Sequence, residues 1–301
     1  MLNVYEQVDQ NKQKSALIIA LFIGFIALFA WVLGEASGYG LSFVGWGLIL
    51  SGMLSFGSYY YSDKIILTLS KARPADRKKD FHFYTVTENL CLAMRLPKPK
   101  LYVIDDTAMN AFATGRDPQH AVVCATTGIL SRLNRTELEG VIAHELSHIQ
   151  NYDIRLMSIV TVLVGMVTLV ADMFLRSTLF RNRNNDKNAS QIQAVFFVIG
   201  LVLALLSPII AKLIQLAVSR RREFLADASG VKVTRFPDGL AKALEKISHD
   251  KEPLEVANKA TAHLYIANPL KNHHDSVGWF AGMFATHPPV KERIAALRQM
   301  S

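Results

Sequence analysis

The sequence predicts a membrane protein, mainly α-helical, in which four apolar segments accompany a polar α+β domain with a small antiparallel sheet. Three observations carry that expectation. Half of the 301 residues are hydrophobic and only 19% are charged, against about 25% in soluble globular domains. Uncharged runs recur near the length of a bilayer crossing, about 20 residues. The polar stretches between them alternate helical and extended patterning.

The first apolar run, Ala16 to Gly34, follows Lys12 and Lys14. It exceeds the roughly 7–15 residues of a signal-peptide core, and no small-x-small cleavage site follows, so it reads as an anchor. The second, Leu41 to Tyr61, ends in Tyr59, Tyr60 and Tyr61, residues suited to a membrane interface. The third, Leu156 to Ala171, is shorter and flanked by Arg155 and Asp172. The fourth, Gln191 to Ala211, contains Pro208. The third and fourth either cross the bilayer or form a re-entrant hairpin.

Basic residues set orientation. The loop after the first run holds Glu35 and no basic residue, whereas Lys64, Lys71, Arg73, Arg77, Lys78 and Lys79 follow the second. The N-terminus and central region are therefore expected inside. The basic loop Arg176, Arg181, Arg183 and Lys187 runs against that rule if both later stretches cross. The net charge of +8 is assigned to membrane flanks rather than nucleic acid, because no basic groove interleaved with aromatics is present. Cys91 and Cys124 form no CxxC pair, so no disulfide framework is expected.

The expected divisions are a transmembrane hairpin (1–63), a first catalytic half (64–155), a second hairpin (156–211) and a second catalytic half (212–301). Lys71 to Lys100 reads as helix, stopped by Pro97 and Pro99. Three extended runs follow, at 100–106, 109–115 and 120–130. Thr136 and Glu139 have the spacing of a capping box for the next helix. A last helix starts near Pro288 and Pro289.

The sharpest chemical signal is His144-Glu145-Leu146-Ser147-His148. Residues four apart share one helix face, so two imidazoles there suit one zinc ion while the glutamate reaches a water beside it. Such a string arises by chance roughly 0.01 times per chain. A catalytic zinc takes a third protein ligand and keeps one position open. A histidine six positions past His148 is excluded, because Ile154 stands there. Glu223, with Asp227 on the same helical face, supplies a ligand and an acceptor for a histidine N–H; both carboxylates could equally pair with Arg220, Arg221 or Arg222. His287 suits an oxyanion donor or a surface position at a helix start. His263 is a further candidate. Asn110, Ala111, Phe112 and Ala113 fit an exposed edge strand that accepts a substrate peptide, or a plain core strand.

These residues resemble the HtpX-type membrane zinc proteases, relatives of the CAAX prenyl endopeptidases. The resemblance covers most of the chain: two N-terminal spans, "NAFATG", "HELSH", a second hydrophobic pair, "SRRREFLAD" and "THPP". It implies a cytosolic zincin-like domain with His144, His148 and Glu223 as ligands of one Zn²⁺. It implies Glu145 as the catalytic glutamate, Asp227 beside a ligand and His287 near the transition state. It further implies stress-response quality control of damaged membrane proteins in a bacterial inner membrane, with protein substrates and the bilayer as partners. The alternatives are a prenyl-protein endopeptidase, an intramembrane protease of the site-2 type and a non-enzymatic scaffold with a structural metal. Arg135, Glu137, Glu139 and Asp153 crowd the motif and count against burial in a bilayer.

Overall fold

The computed structural model describes residues 4–37, 41–163, 165, 220–250, 252–255, 264–266 and 288–300. The fourth apolar run, the 176–187 loop, His263 and His287 lie outside the described residues. Helix α1 spans Val4–Ser37 and α2 spans Ser42–Leu69. They pack on a seam of small residues. Ser51, Ser55, Ser58 and Ser62 recur at helical spacing and are buried, and a Cβ on Gly47 would meet Ala30 Cβ at 2.5 Å. Small side chains let helix backbones approach where lipid gives no hydrophobic drive. Away from the seam, Leu17, Leu21, Leu28, Trp46, Met53 and Phe56 are exposed. A contiguous apolar surface of this kind marks contact with membrane or protein.

Among the described residues, only Asp9–Leu28 is long and apolar enough to cross a membrane. The second expected span is helical within α2, but its serines, glycines and tyrosines dilute its apolar character. The described beginning of the third is also helical, over 153–163. Its Leu156, Ile159, Val160 and Leu163 are buried in the protein core.

The sheet is mixed, correcting the antiparallel expectation. Strands β1 (Arg73–Pro74), β2 (Lys100–Ile104), β3 (Ala111–Gly115) and β4 (Ala121–Thr126) order as β1-β2-β4-β3. β4 inserts between β2 and β3, so it runs parallel to β2 and antiparallel to β3. Strand patterning fixes which residues share a face and leaves the pairing order open. The expected helix from Lys71 is shorter, α3 over Phe81–Met94. Before it, Arg73 and Pro74 pair with β2, and Asp76 Oδ1 accepts from the Lys78 and Lys79 amides at 2.8 Å, which makes a turn. The third extended run also ends early. Thr126 Oγ1 accepts from Ile129 N at 3.2 Å and starts α4 (Thr127–Arg132).

Alternating side chains divide the sheet between two cores. Val103, Ala111, Ala113, Val123 and Ala125 face a core built with α3 and α5 (Arg135–Gln150), α7 (Pro237–His249) and α8 (Val290–Arg298). Ile104, Phe112 and Cys124 face the other, which includes Ile18 and Phe22 of α1 and Ile66 of α2. The apolar hairpin therefore packs directly against the polar domain. The strands are buried on both faces, so their sequences read as nearly continuous apolar runs.

Helix α5 starts two residues earlier than the sequence reading placed it. Its capping box is Asn134 with Glu137: Glu137 N donates to Asn134 Oδ1 at 2.9 Å and Asn134 N donates to Glu137 Oε2 at 2.9 Å. Thr136 and Glu139 have the same spacing. Their side chains instead bond Asn134 Oδ1 and Arg135 Nε.

Candidate active site

His144, Glu145 and His148 project from the buried face of α5, exposed by only 1%, 3% and 5%. Helix α6 (Arg220–Thr234) crosses behind them. Glu223, Asp227 and Gly230 occupy one face of α6 at intervals of four and three, and all are buried. A Cβ on Gly230 would meet His144 N at 3.2 Å. A side chain there would force the helices apart, and Glu223 would draw back from the histidines.

His144 and His148 each bond a carboxylate through Nδ1. His144 Nδ1 lies 2.8 Å from Asp227 Oδ1, and His148 Nδ1 lies 3.0 Å from Asp153 Oδ2. An ionised carboxylate only accepts, so each Nδ1 carries a proton and each Nε2 is the atom left to ligate a metal. Those two Nε2 atoms are 3.2 Å apart. Glu223 Oε1 lies 3.5 Å from His148 Nε2, and Glu223 Oε2 lies 3.7 Å from His144 Nε2. Ligands about 2.0–2.1 Å from a tetrahedral ion are separated by roughly 3.3 Å. The three residues thus fit one divalent metal ion.

The charges agree. Glu145, Asp153, Glu223 and Asp227 are buried with Arg293, and Arg222 Nη1 approaches Asp153 Oδ1 at 3.5 Å. Among the described residues these carboxylates outnumber the guanidiniums, an excess of negative charge that suits a cation. Burial disfavours the charged form of His148. Its bond to Asp153 and the charges of Glu223, Asp153 and Glu145 outweigh that, and its pKa is pushed up to about 9. Burial likewise opposes ionisation of Asp227, but Arg293 and His144 hold its carboxyl below the usual range.

Two of these residues escaped the sequence reading of the site. Asp153 had counted only as a charge crowding the motif. Tyr152 adopts φ 58° just past the end of α5, and that left-handed residue turns the chain so that Asp153 folds back onto His148. Arg293 is fully buried; Nε donates to Asp227 Oδ2 at 2.8 Å and Nη2 to Asp227 Oδ1 at 2.6 Å. Its signal was present: with Val290, Ile294 and Leu297 it shares the apolar face of the last helix, where an isolated cation needs a buried partner. The Arg222 guanidinium pairs with Asp153 at the cluster, so the arginine run contributes to the site. Glu223 and Asp227 are buried, not on a solvated face.

Asn110, Ala111, Phe112 and Ala113 are buried, not exposed as an edge strand would be. β3 does lie at the sheet edge, but its outer side is partly occupied. Ile266 N donates to Ala111 O at 3.0 Å, and Gly115 N donates to Ser158 Oγ at 3.2 Å. Phe112 packs edge-on against Tyr265 at 5.1 Å.

Two helices that converge a His-Glu-x-x-His pair and a remote carboxylate on one metal-sized gap define a metallopeptidase of the single-ion kind. Comparison with known proteins agrees: the sequence profile described as Peptidase family M48 matches residues 78–301, and the chain belongs to that family. It is a membrane metalloprotease, similar along nearly its whole length to curated relatives. The "Protease HtpX homolog" of Dictyoglomus turgidum is 42% identical over 300 residues, 98% of this chain and 94% of that protein. The "Protease HtpX homolog" of Streptococcus uberis is 40% identical over 304 residues, 99% and 100% of the two chains. Among solved structures, S. mikatae Ste24p aligns with TM-score 0.49 and 19% identity, covering 97% of this chain and 67% of that one.

Proposed function

We propose that this protein is a zinc endopeptidase of a bacterial cytoplasmic membrane, cleaving misfolded or damaged membrane proteins on the cytoplasmic side. The observation that carries the reading is the pair of inward Nε2 atoms 3.2 Å apart with the Glu223 carboxylate beside both. His144, His148 and Glu223 hold the metal. A zinc ion bound there supplies a Lewis acid that polarises the scissile carbonyl and lowers the pKa of a water. Glu145 takes the proton of the attacking water and returns it to the leaving amine. Asp227 and Asp153 keep the histidines in the ligating tautomer. His287 donates to the oxyanion. In the segment of Asn110, Ala111, Phe112 and Ala113 the side chains are buried, and a substrate peptide pairs with the backbone of β3 at Ala113.

In this reading 1–63 is a transmembrane hairpin, 64–155 and 212–301 are the catalytic halves, and 156–211 is a second hairpin at the membrane. His148 is followed closely by the apolar stretch at Leu156, so the metal lies near the cytoplasmic surface, within reach of substrates emerging from the bilayer. The basic flank from Lys64 to Lys79 orients the whole.

The test is Glu145→Gln in the detergent-purified full chain. Zinc content stays at the wild-type level and peptide cleavage is lost; wild-type turnover would refute the mechanism. Cysteines placed at Lys79 and Gln299 in intact cells stay protected from an external thiol reagent. Labelling of either from outside would reverse the orientation.

A further inference from the structure

A polar side chain of the first apolar helix reaches into the metal-donor cluster. Asn11 lies on α1 within the apolar stretch Asp9–Leu28 and is 2% exposed. Its Nδ2 donates to Asp153 Oδ1 at 2.7 Å and to the Asn151 carbonyl at 2.9 Å. Its Oδ1 accepts from Arg222 Nη1 at 3.4 Å. These partners are the carboxylate that orients His148, the residue that ends the α5 helix and the residue preceding Glu223. One amide therefore joins the end of α5 to the start of α6, the two helices that carry all three metal donors.

We propose that Asn11 is a positioning residue of the metal centre, so that α1 completes the peptidase site. The proposal rests on His144, His148 and Glu223 being the metal donors. Asp153 has two oxygens with separate tasks. Oδ2 accepts from His148 Nδ1 at 3.0 Å, and Oδ1 is held by Asn11, with Arg222 Nη1 3.5 Å away. Without the Asn11 amide, the Arg222 guanidinium is the partner left on Oδ1 among these contacts, and the carboxylate swings toward it. The hydrogen bond that fixes the His148 tautomer and ring angle is then lost. A buried amide is costly unless its donors and acceptor are engaged, and here both ends are engaged at the cluster. Asn11 also lies outside the residues 78–301 matched by the family profile. The membrane helix thus contributes from beyond the peptidase domain, and zinc retention depends on how α1 is seated.

The test uses the full chain in detergent, with competitive zinc titration, peptide-cleavage kinetics and a thermal melt. Asn11→Leu weakens zinc binding on the order of 10-fold and lowers kcat with KM unchanged. Ser15→Ala, one turn along α1, removes a buried hydroxyl that, among the described residues, bonds only the Asn11 carbonyl and keeps wild-type values. Asn11→Asp sets a carboxylate against Asp153 and weakens zinc further. Combining it with Asp153→Asn restores a donor–acceptor pair with the roles exchanged and recovers part of the loss. That exchange decides the matter if Asn11→Leu does not fold: recovery supports the proposal, and no recovery overturns it. Wild-type zinc affinity and kcat in folded Asn11→Leu would also overturn it. His148→Ala separates the two readings, since wild-type zinc affinity there refutes the donor set, whatever Asn11 does.

Discussion

Nη2 of Arg293 lies 2.6 Å from Oδ1 of Asp227, and neither side chain is more than 2% exposed. The same guanidinium approaches Glu223 Oε2 at 3.5 Å through Nη1. The last helix of the chain thus sets one guanidinium against the two carboxylates that α6 directs at the histidines. In the metal-free protein it is a countercharge of the cluster beside Arg222.

Arg293→Ala should therefore be among the most damaging single changes outside the metal donors. Removing one partner of a buried ion pair costs about 3–5 kcal/mol, because the remaining charge stays buried. The denaturation midpoint of metal-free protein in detergent measures it. Arg293→Lys should recover part of the loss, since one ammonium cannot reproduce the forked contact to Asp227. An unchanged midpoint in Arg293→Ala would mean that the carboxylates are neutral.

Glu223 and Asp227 should separate in a zinc titration. Glu223→Ala leaves two histidines and weakens binding severely. Asp227→Ala leaves all three donors but removes the acceptor of His144 Nδ1, costing on the order of 10–100-fold in affinity, and it also strips the buried Arg293 guanidinium of its partner. Asp153→Ala should match Asp227→Ala, because it stands in the same relation to His148. Wild-type zinc affinity in Glu223→Ala would place the third ligand elsewhere, with His287 and His263 the next positions to mutate.

Zinc binding should depend steeply on pH. The metal needs neutral His148, whose metal-free pKa is about 9. Below that value each step of one pH unit lowers apparent affinity about tenfold through this residue alone. The same shift has a consequence for metal-free stability. The folded pKa lies above the ordinary value of 6.5, so the stabilisation is complete below that pH and is lost as pH rises toward 9. Isothermal titration between pH 6 and 9 with parallel melts of chelated protein tests both signs.

Gly230→Ala should lower activity more than it lowers stability. The added Cβ meets His144 N at 3.2 Å, tight enough to displace α6 by a few tenths of an ångström. Overpacking of this kind costs about 1–3 kcal/mol, and it acts where Glu223 faces the histidines. A zinc titration beside a melting curve distinguishes the two effects. Gly140→Ala is the contrasting case. Its Cβ meets Leu240 N at 2.7 Å, so it presses on α7, which carries no donor, and stability falls more than zinc affinity.

The sequence by itself determined whatever depends on local spacing. His144 and His148 are one turn apart and so share a face of α5; Glu223 and Asp227 do the same on α6. The first apolar run is helical because its length and composition allow little else. Strand residues were legible because both faces of the sheet are buried. Spacing did not determine which distant pieces meet. The insertion of β4 between β2 and β3, the return of Asp153 through the left-handed Tyr152, the choice of Asn134 over Thr136 as cap, and the convergence of Asn11, Arg222 and Arg293 on the donors were decided in three dimensions. Each is a contact between groups whose local patterns permit other partners. Only the joint requirement to bury apolar surface and to compensate every enclosed charge selects among them.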